Sequence, residues 1–199
     1  MAEDRDAGFR DDLEAHIALA RRCRDELAAP FHALVDAAEA AVAGGGKLLL
    51  FGNGGSASDA QHIATELVVR FTTERAPIAA LALTTDTSAL TAIPNDLGAA
   101  HLFARQIAAL GRPGDLALGL TTSGRSPNVT AGLRAAREGG LGAAALTGRD
   151  GGELPSLAAP CLVVPSDSTA RIQEMHITLG HMLCGALERR LGLVAADAG

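Results

Sequence analysis

Two hydrophobic periods alternate along this chain. Over residues 9–43 the apolar positions recur at helical spacing: Phe9, Leu13, Ile17, Ala20 and Leu27, then Phe31, Leu34, Val35, Ala38 and Val42, with Pro30 between the two sets. This spacing gathers the apolar side chains on one stripe of each segment, so it predicts two leading helices that break near Pro30. Gly44-Gly45-Gly46 closes the second. Beyond them, short near-continuous apolar runs alternate with helical segments. The runs 47–51, 78–83, 115–120, 142–147 and 161–164 read as strands, and their lack of polar alternation suits strands covered on both faces. Helices are predicted between them at about 58–71, 86–93, 100–110, 127–139 and 153–158, and a last amphipathic helix at about 169–191.

Strands joined by helical crossovers pair in parallel, because no tight turn can bring a parallel neighbour alongside. The predicted class is therefore α/β: a three-layer α-β-α sandwich around a five-stranded parallel sheet, with two leading helices and a long C-terminal helix. No repeat, low-complexity tract or linker divides the chain. Residues 1–199 are expected to form one domain, with 1–43 as leading helices used in oligomerisation and 47–191 as the sheet-and-helix core. Three long helices rich in Ala and Leu offer more apolar surface than such a sheet can cover, which predicts a homotetramer.

Composition removes several function classes. A net charge of −6 with 5 Phe, no Tyr and no Trp provides neither a basic field for phosphates nor platforms for stacking bases, so no nucleic-acid partner is expected. No apolar run approaches the ~20 residues of a membrane span, and Met1-Ala2-Glu3-Asp4-Arg5-Asp6 lacks the basic and apolar regions of a signal peptide. Cys23, Cys161 and Cys184 are widely spaced, which suits free thiols in a reducing cytoplasm rather than a disulfide framework or a thiolate zinc site. Lys47 is the single lysine among 17 basic residues, and it opens a predicted strand. Ligands of open parallel sheets gather at the opposite, carboxyl ends of strands, so Schiff-base chemistry is not expected.

Those carboxyl ends carry the chemistry-bearing residues. Gly52-Asn53-Gly54-Gly55-Ser56-Ala57-Ser58 follows the first strand, Thr84-Thr85-Asp86 the second, Thr121-Thr122-Ser123-Gly124-Arg125-Ser126 the third and Thr147-Gly148 the fourth. Gly52, Gly54 and Ala57 fit a dinucleotide fingerprint, but no acidic residue stands at the tip of the second strand. The rival reading is a loop of backbone N–H groups and hydroxyls that grips a small polyol or phosphate. Gly46-Lys47-Leu48 lacks the hydroxyl residue of a P-loop. After the third strand, hydroxyls beside a helix N-terminus make an anion site that needs no lysine. Capping by Ser126 ahead of Pro127 would explain one of these hydroxyls and leave Thr121, Thr122 and Ser123 unexplained. His62 and Glu66 stand one helical turn apart, a spacing that serves a divalent metal, an acid/base pair or only a solvated face. Gln173, Glu174, His176 and His181 on the last helix are further candidates, and His181, among Leu179, Met182 and Leu183, also suits a core position.

Taken together the motifs resemble a known family. Leu50-Phe51-Gly52-Asn53-Gly54-Gly55-Ser56-Ala57-Ser58-Asp59-Ala60-Gln61-His62, then Glu66 and Arg70-Phe71, are similar to the opening of the sugar isomerase (SIS) domain of the phosphoheptose isomerases. The likeness continues through Thr84-Thr85-Asp86, Asn95-Asp96, the Thr121–Ser126 loop and Leu146-Thr147-Gly148, to Ala170-Arg171-Ile172-Gln173-Glu174-Met175-His176. The resemblance implies a cytoplasmic homotetramer that converts sedoheptulose 7-phosphate to D-glycero-D-manno-heptose 7-phosphate through an enediol(ate), the first step toward surface-polysaccharide heptose. It places metal ligands on His62, Glu66, Gln173 and His181, with one Zn2+ per subunit. Substrate contacts fall on Asn53, Gly54, Gly55, Ser56, Glu66, Asn95, Asp96, Thr121, Thr122, Ser123, Ser126 and Gln173, and the proton transfers on Glu66 and His181. Some members carry Ser at the place of Thr121 and Asp at that of Ala170. A relative of these isomerases, the initiator-associating protein of bacterial replication, keeps the fold as a non-catalytic adaptor. It is the alternative from another class, although both proton-transfer side chains are present here.

Overall fold

Each predicted apolar run carries a strand. The computed structural model describes residues 2–194, with side chains from residue 7, so Met1 and residues 195–199 of the expected domain lie outside the described residues. The chain runs α1 (Ala2–Glu26), α2 (Ala28–Ala43), β1 (Leu48–Gly52), α3 (Gly55–Val68), β2 (Ala80–Ala82) and α4 (Thr87–Asp96). A 3₁₀ turn (Ala99–His101) leads into α5 (Leu102–Leu110), then β3 (Leu116–Leu120), α6 (Pro127–Glu138), β4 (Gly142–Gly148), α7 (Leu154–Leu157), β5 (Cys161–Val164) and α8 (Thr169–Arg190).

The five strands pair in parallel in the order β2-β1-β3-β4-β5, with Leu48 opposite Ala80 and Leu116, Leu116 opposite Gly142, and Ala145 opposite Cys161. The twofold period of a strand divides its side chains between two cores. Leu48, Leu50, Leu116, Leu118, Leu120, Leu146, Leu162 and Val164 face the layer of α1, α2, α3 and α8. Leu49, Phe51, Ala117, Ala143 and Ala145 face α5, α6 and α7. Leu48, Leu49, Leu50 and Phe51 are all 0% exposed, and burial of each such side chain stabilises the fold by about 1.5–3 kcal/mol. β1 is thus anchored on both faces, and it holds the loop that follows it.

The boundaries differ from the periodicity reading where local chemistry intervenes. The first two helices part at Leu27, and Pro30 sits in the first turn of α2, where the backbone N–H it lacks has no intrahelical partner. β2 shrinks to three residues because it is the sheet edge, paired with β1 alone. α3 starts at Gly55, so the serines after the glycines lie in its opening turn rather than in a loop. α4 extends through Pro94 to Asp96, and α7 is a single turn.

Lys47 lies just ahead of β1, and its Nζ stands 2.6 Å from Asp115 Oδ2. Asp115 also accepts the backbone N–H groups of Lys47 and Arg112, each at 2.9 Å. Burial works to raise the Asp115 pKa, but the ammonium and the two N–H groups outweigh it and hold the carboxyl below its ordinary value. All three thiols are pushed up by burial, Cys23 and Cys161 to about 11 and Cys184 to about 12, which keeps them protonated and unreactive. Among the described residues no helix is long and apolar enough to cross a membrane.

Candidate active site

The chain leaves β1 for β2 on one side and returns to β3 on the other, so the strand order reverses between β1 and β3. A crevice opens at such a switch point, between the loops at the carboxyl ends of the two strands. Both loops are built for close backbone approach. In the first, Gly54 opens α3 with φ +56°, a conformation that favours glycine, and a Cβ at Gly55 would collide with the Gln173 side chain. Asn53 and Asn128 exchange amide hydrogen bonds of 2.8 Å in both directions, which ties this loop to the start of α6.

In the second loop, Thr121 Oγ1 lies 3.0 Å from Ser126 Oγ and 3.4 Å from Ser123 Oγ. Ser126 occupies the N-cap of α6, but its hydroxyl turns to Thr121 instead of capping the helix. The three hydroxyls therefore converge beside a helix N-terminus, whose partial positive charge suits an anion. Gly124, at φ +66°, presses on the backbone of Gly151 and Gly152, where any Cβ would clash. Arg125 donates its backbone N–H to Ser123 Oγ at 3.2 Å, and its guanidinium grips Asp150 through two bonds of 2.9 and 2.6 Å.

Further along the helical layer, away from the glycine loop, α3 presents His62 and Glu66 while α8 presents His181. His62 Nε2 stands 2.8 Å from His181 Nε2 and 3.4 Å from Glu66 Oε1, and the ligating atoms of all three lie within 4.8 Å of one another. A hydrogen bond between the two ring nitrogens requires one of them to be unprotonated. The two helices come close because Gly180 leaves room for Ile63, which a Cβ there would strike. Phe71 stacks on the outer side of His181, with centroids 5.6 Å apart and planes at 28°. Two imidazoles and a carboxylate that converge in this way can hold a divalent metal or move protons.

Residues 13–148 match the model of the SIS domain family. The phosphoheptose isomerase of Paramagnetospirillum magneticum is 60% identical over 80% of this chain and 83% of its own length. That of Roseiflexus sp. is 52% identical over 91% and 92%. Phosphoheptose isomerase GmhA from Neisseria gonorrhoeae superposes with a TM-score of 0.86 at 41% identity, covering 95% of this chain and all of that one. The chain belongs to the phosphoheptose isomerase family of SIS domain proteins. For this family member, the structure divides the expected site residues by location.

Of the four expected metal ligands, His62, Glu66 and His181 come together, while Gln173, two turns earlier on α8, donates from Nε2 to Asp59 Oδ2 at 3.1 Å. Burial raises the Asp59 pKa, and the Gln173 amide and the two nearby histidines act against that rise. Of the expected substrate contacts, Asn53, Gly54 and Gly55 line the exposed rim, and Thr121, Thr122, Ser123 and Ser126 form the loop opposite. Ser56 is buried in the first turn of α3, 4% exposed, with its Cβ against Gly52. Asn95 and Asp96 end α4, where the Asn95 amide donates to the Asp96 carboxylate at 2.6 Å.

The other candidates resolve to structural roles. Asp86 caps α4 by accepting from the N–H groups of Ser88 and Ala89, which takes it out of a dinucleotide reading. The core histidine is His176, not His181: it is 0% exposed, its Nε2 lies 3.1 Å from the Thr147 carbonyl, and burial lowers its pKa to about 4. Glu174 faces α1, where it meets His16 at 2.8 Å, and it also pairs with Arg171 at 2.9 Å. Sequence reasoning missed Asn128, for which no spacing signal exists. It took Asp59 only as part of the motif, although Asp59 stands three residues before His62 on the same helix face.

Proposed function

We propose that this protein interconverts sedoheptulose 7-phosphate and D-glycero-D-manno-heptose 7-phosphate. The observation that carries the reading is the His62–Glu66–His181 cluster, which the same chain combines with the Thr121–Ser126 hydroxyls at a helix N-terminus. Aldose–ketose isomerisation moves a proton between C1 and C2 through an enediol(ate), so it needs a base beside carbon, a group that handles protons on oxygen and an anchor for the phosphate. Glu66 takes the proton from C1 and returns it at C2. His181 gives a proton to the C2 oxygen and takes one from the C1 hydroxyl. The hydroxyls of Thr121, Ser123 and Ser126 hold the phosphate at the α6 N-terminus, with Asn53, Gly54 and Gly55 along the sugar.

The chemistry of the donor set, two imidazoles and a carboxylate, suits zinc. Tetrahedral zinc with ligands at about 2.0–2.2 Å separates its donor atoms by about 3.4 Å; His62 and Glu66 stand at 3.4 Å, while the two imidazole nitrogens, now hydrogen-bonded at 2.8 Å, would move apart on binding the ion. His62, Glu66 and His181 would hold the ion, with Gln173 as the family's fourth ligand. When bound it supplies Lewis-acid polarisation of the sugar carbonyl. Gln173 and Asp59 otherwise orient the rim beside the glycine loop.

Association as a homotetramer in the cytoplasm is part of the proposal. Phe9, Leu13 and Ile17, at 64%, 47% and 39% exposure, form one stripe along α1. An apolar groove of about 410 Å³ runs between α1, α2 and α8, lined by Cys23, Leu27, Phe31, Met175 and Met182 among others. Such contiguous apolar surface marks an association face. The adaptor alternative is not favoured, because both proton-transfer side chains are present and meet in one cluster.

Incubation with sedoheptulose 7-phosphate, followed by NMR with and without a chelator, tests the reading. Aldoheptose 7-phosphate is expected to form, to stop forming on chelation and to return with added zinc. A folded protein that leaves the sugar unchanged with zinc present would overturn the enzyme reading in favour of an adaptor.

A further inference from the structure

One charged pair lies outside the crevice and is almost wholly buried. The side chains of Arg75, in the segment between α3 and β2, and Glu188, near the end of α8, are each 1% exposed, with Arg75 Nε 2.8 Å from Glu188 Oε1. Desolvation of two charges commonly outweighs their attraction, and well-packed apolar residues would serve stability as well or better. The pair is therefore expected to do something that apolar packing cannot, and its hydrogen bonds show what. Arg75 donates from Nη2 to the Glu66 carbonyl at 2.8 Å and from Nη1 to the Leu67 carbonyl at 2.7 Å. These carbonyls belong to the last turn of α3, whose oxygens lack helical partners and favour a cation.

Glu188 stands seven residues, two turns, beyond His181 on α8, so the two share a face. Its Oε1 also accepts the Phe71 backbone N–H at 3.1 Å. The Phe71 ring in turn lies on His181 and within 3.4 Å of where a Cβ of Gly185 would be. One branch of the network thus ends on the backbone of Glu66 and the other on the ring of His181.

We infer that Arg75, Glu188 and Phe71 are positioning residues that set Glu66 and His181 relative to each other. This rests on the reading above that Glu66 and His181 transfer the protons. Apolar contacts can slide, whereas a planar guanidinium with fixed donor directions sets the distance between a helix end and a neighbouring helix. Small displacements of reacting groups lower turnover about 10²-fold at the extreme, without loss of binding.

The test separates positioning from stability. Phe71→Leu keeps an apolar side chain but removes the stack on His181. It is expected to lower kcat about tenfold while KM stays within twofold and the protein stays folded. Glu188→Gln keeps a neutral acceptor for Phe71 and Arg75 and is expected to keep kcat within about threefold of wild type, whereas Glu188→Ala loses tenfold or more. The double change Arg75→Met with Glu188→Leu replaces the pair by apolar packing and is expected to keep the melting temperature but not kcat. Wild-type kcat in folded Phe71→Leu, or in the folded double variant, would overturn the inference. If the double variant does not fold, Phe71→Leu and the Gln/Ala pair at Glu188 decide. Glu66→Gln is measured alongside: if it is active, the proton-transfer reading itself has failed, and if it is inactive while Phe71→Leu is unimpaired, only the positioning role has.

Discussion

The two ends of the parallel sheet treat their polar groups in opposite ways. At the amino ends of β1 and β3 one buried carboxylate gathers the donors: Asp115, its side chain 3% exposed, takes the Lys47 ammonium and two backbone N–H groups at once. At the carboxyl ends the polar groups are held by one another. Thr121, Ser123 and Ser126 share hydroxyl bonds, and Asn53 and Asn128 exchange amide bonds. Groups matched to a fixed internal partner stabilise a fold. Groups assembled against one another, with spare lone pairs and protons facing a crevice, are arranged for something that arrives.

The largest effect expected is from Glu66→Gln, which keeps shape and one oxygen but removes the proposed base. Turnover is expected to fall ~10²-fold or more, with KM and melting temperature near wild type. The counterpart at the amino end is Asp115→Ala, which strands the Lys47 ammonium and two N–H groups. It is expected to destabilise the fold by about 3 kcal/mol in chemical denaturation while turnover per folded molecule is unchanged.

His176 tests whether proximity to the rim alone makes a group functional. It lies under the carboxyl end of β4 on the Thr147 carbonyl, yet it is buried and its pKa is lowered to about 4. The unfolded chain takes up its proton near pH 6.5 and the native state does not until about 4, so stability is full above 6.5 and falls as the pH drops between these values. The difference between wild type and His176→Gln in unfolding free energy, read from denaturation curves, is expected to change over that window, by about 3 kcal/mol at most, and to be flat above pH 7.

The smallest effects concern the phosphate. Ser123→Ala is expected to raise KM for the sugar phosphate about tenfold, and Lys47→Ala to leave it within twofold, as steady-state kinetics will show. The reverse pattern would put the phosphate at the wrong end of the sheet.

The same contrast explains what was legible in the sequence. β1 and β3 are read correctly because both faces are buried, which makes Leu48–Phe51 and Leu116–Leu120 continuous apolar runs. β2 is over-read at 78–83 because its apolar residues continue past the short edge pairing. The break between α1 and α2 is displaced to Leu27 because a proline is tolerated in a first helical turn. The His62–Glu66 pair is visible as one turn of a single helix. His181 is 119 residues from His62, and Gln173 is 114 from Asp59, so spacing within one element could not join them; Gln173 and His181 stood as separate candidates on the last helix until the family resemblance put them in one site with His62 and Glu66. Arg75 and Glu188, 113 residues apart, look like ordinary surface charges until tertiary packing buries them against each other.

Isomerisation of sedoheptulose 7-phosphate in deuterated water, by wild type, Lys47→Ala and Glu66→Gln with zinc content measured in each, tests the central claim most directly. The account predicts aldoheptose 7-phosphate from wild type and Lys47→Ala, with no conversion and no exchange of the C1 or C2 hydrogens by a folded, zinc-replete Glu66→Gln protein. Near wild-type conversion by that Glu66 variant would contradict it.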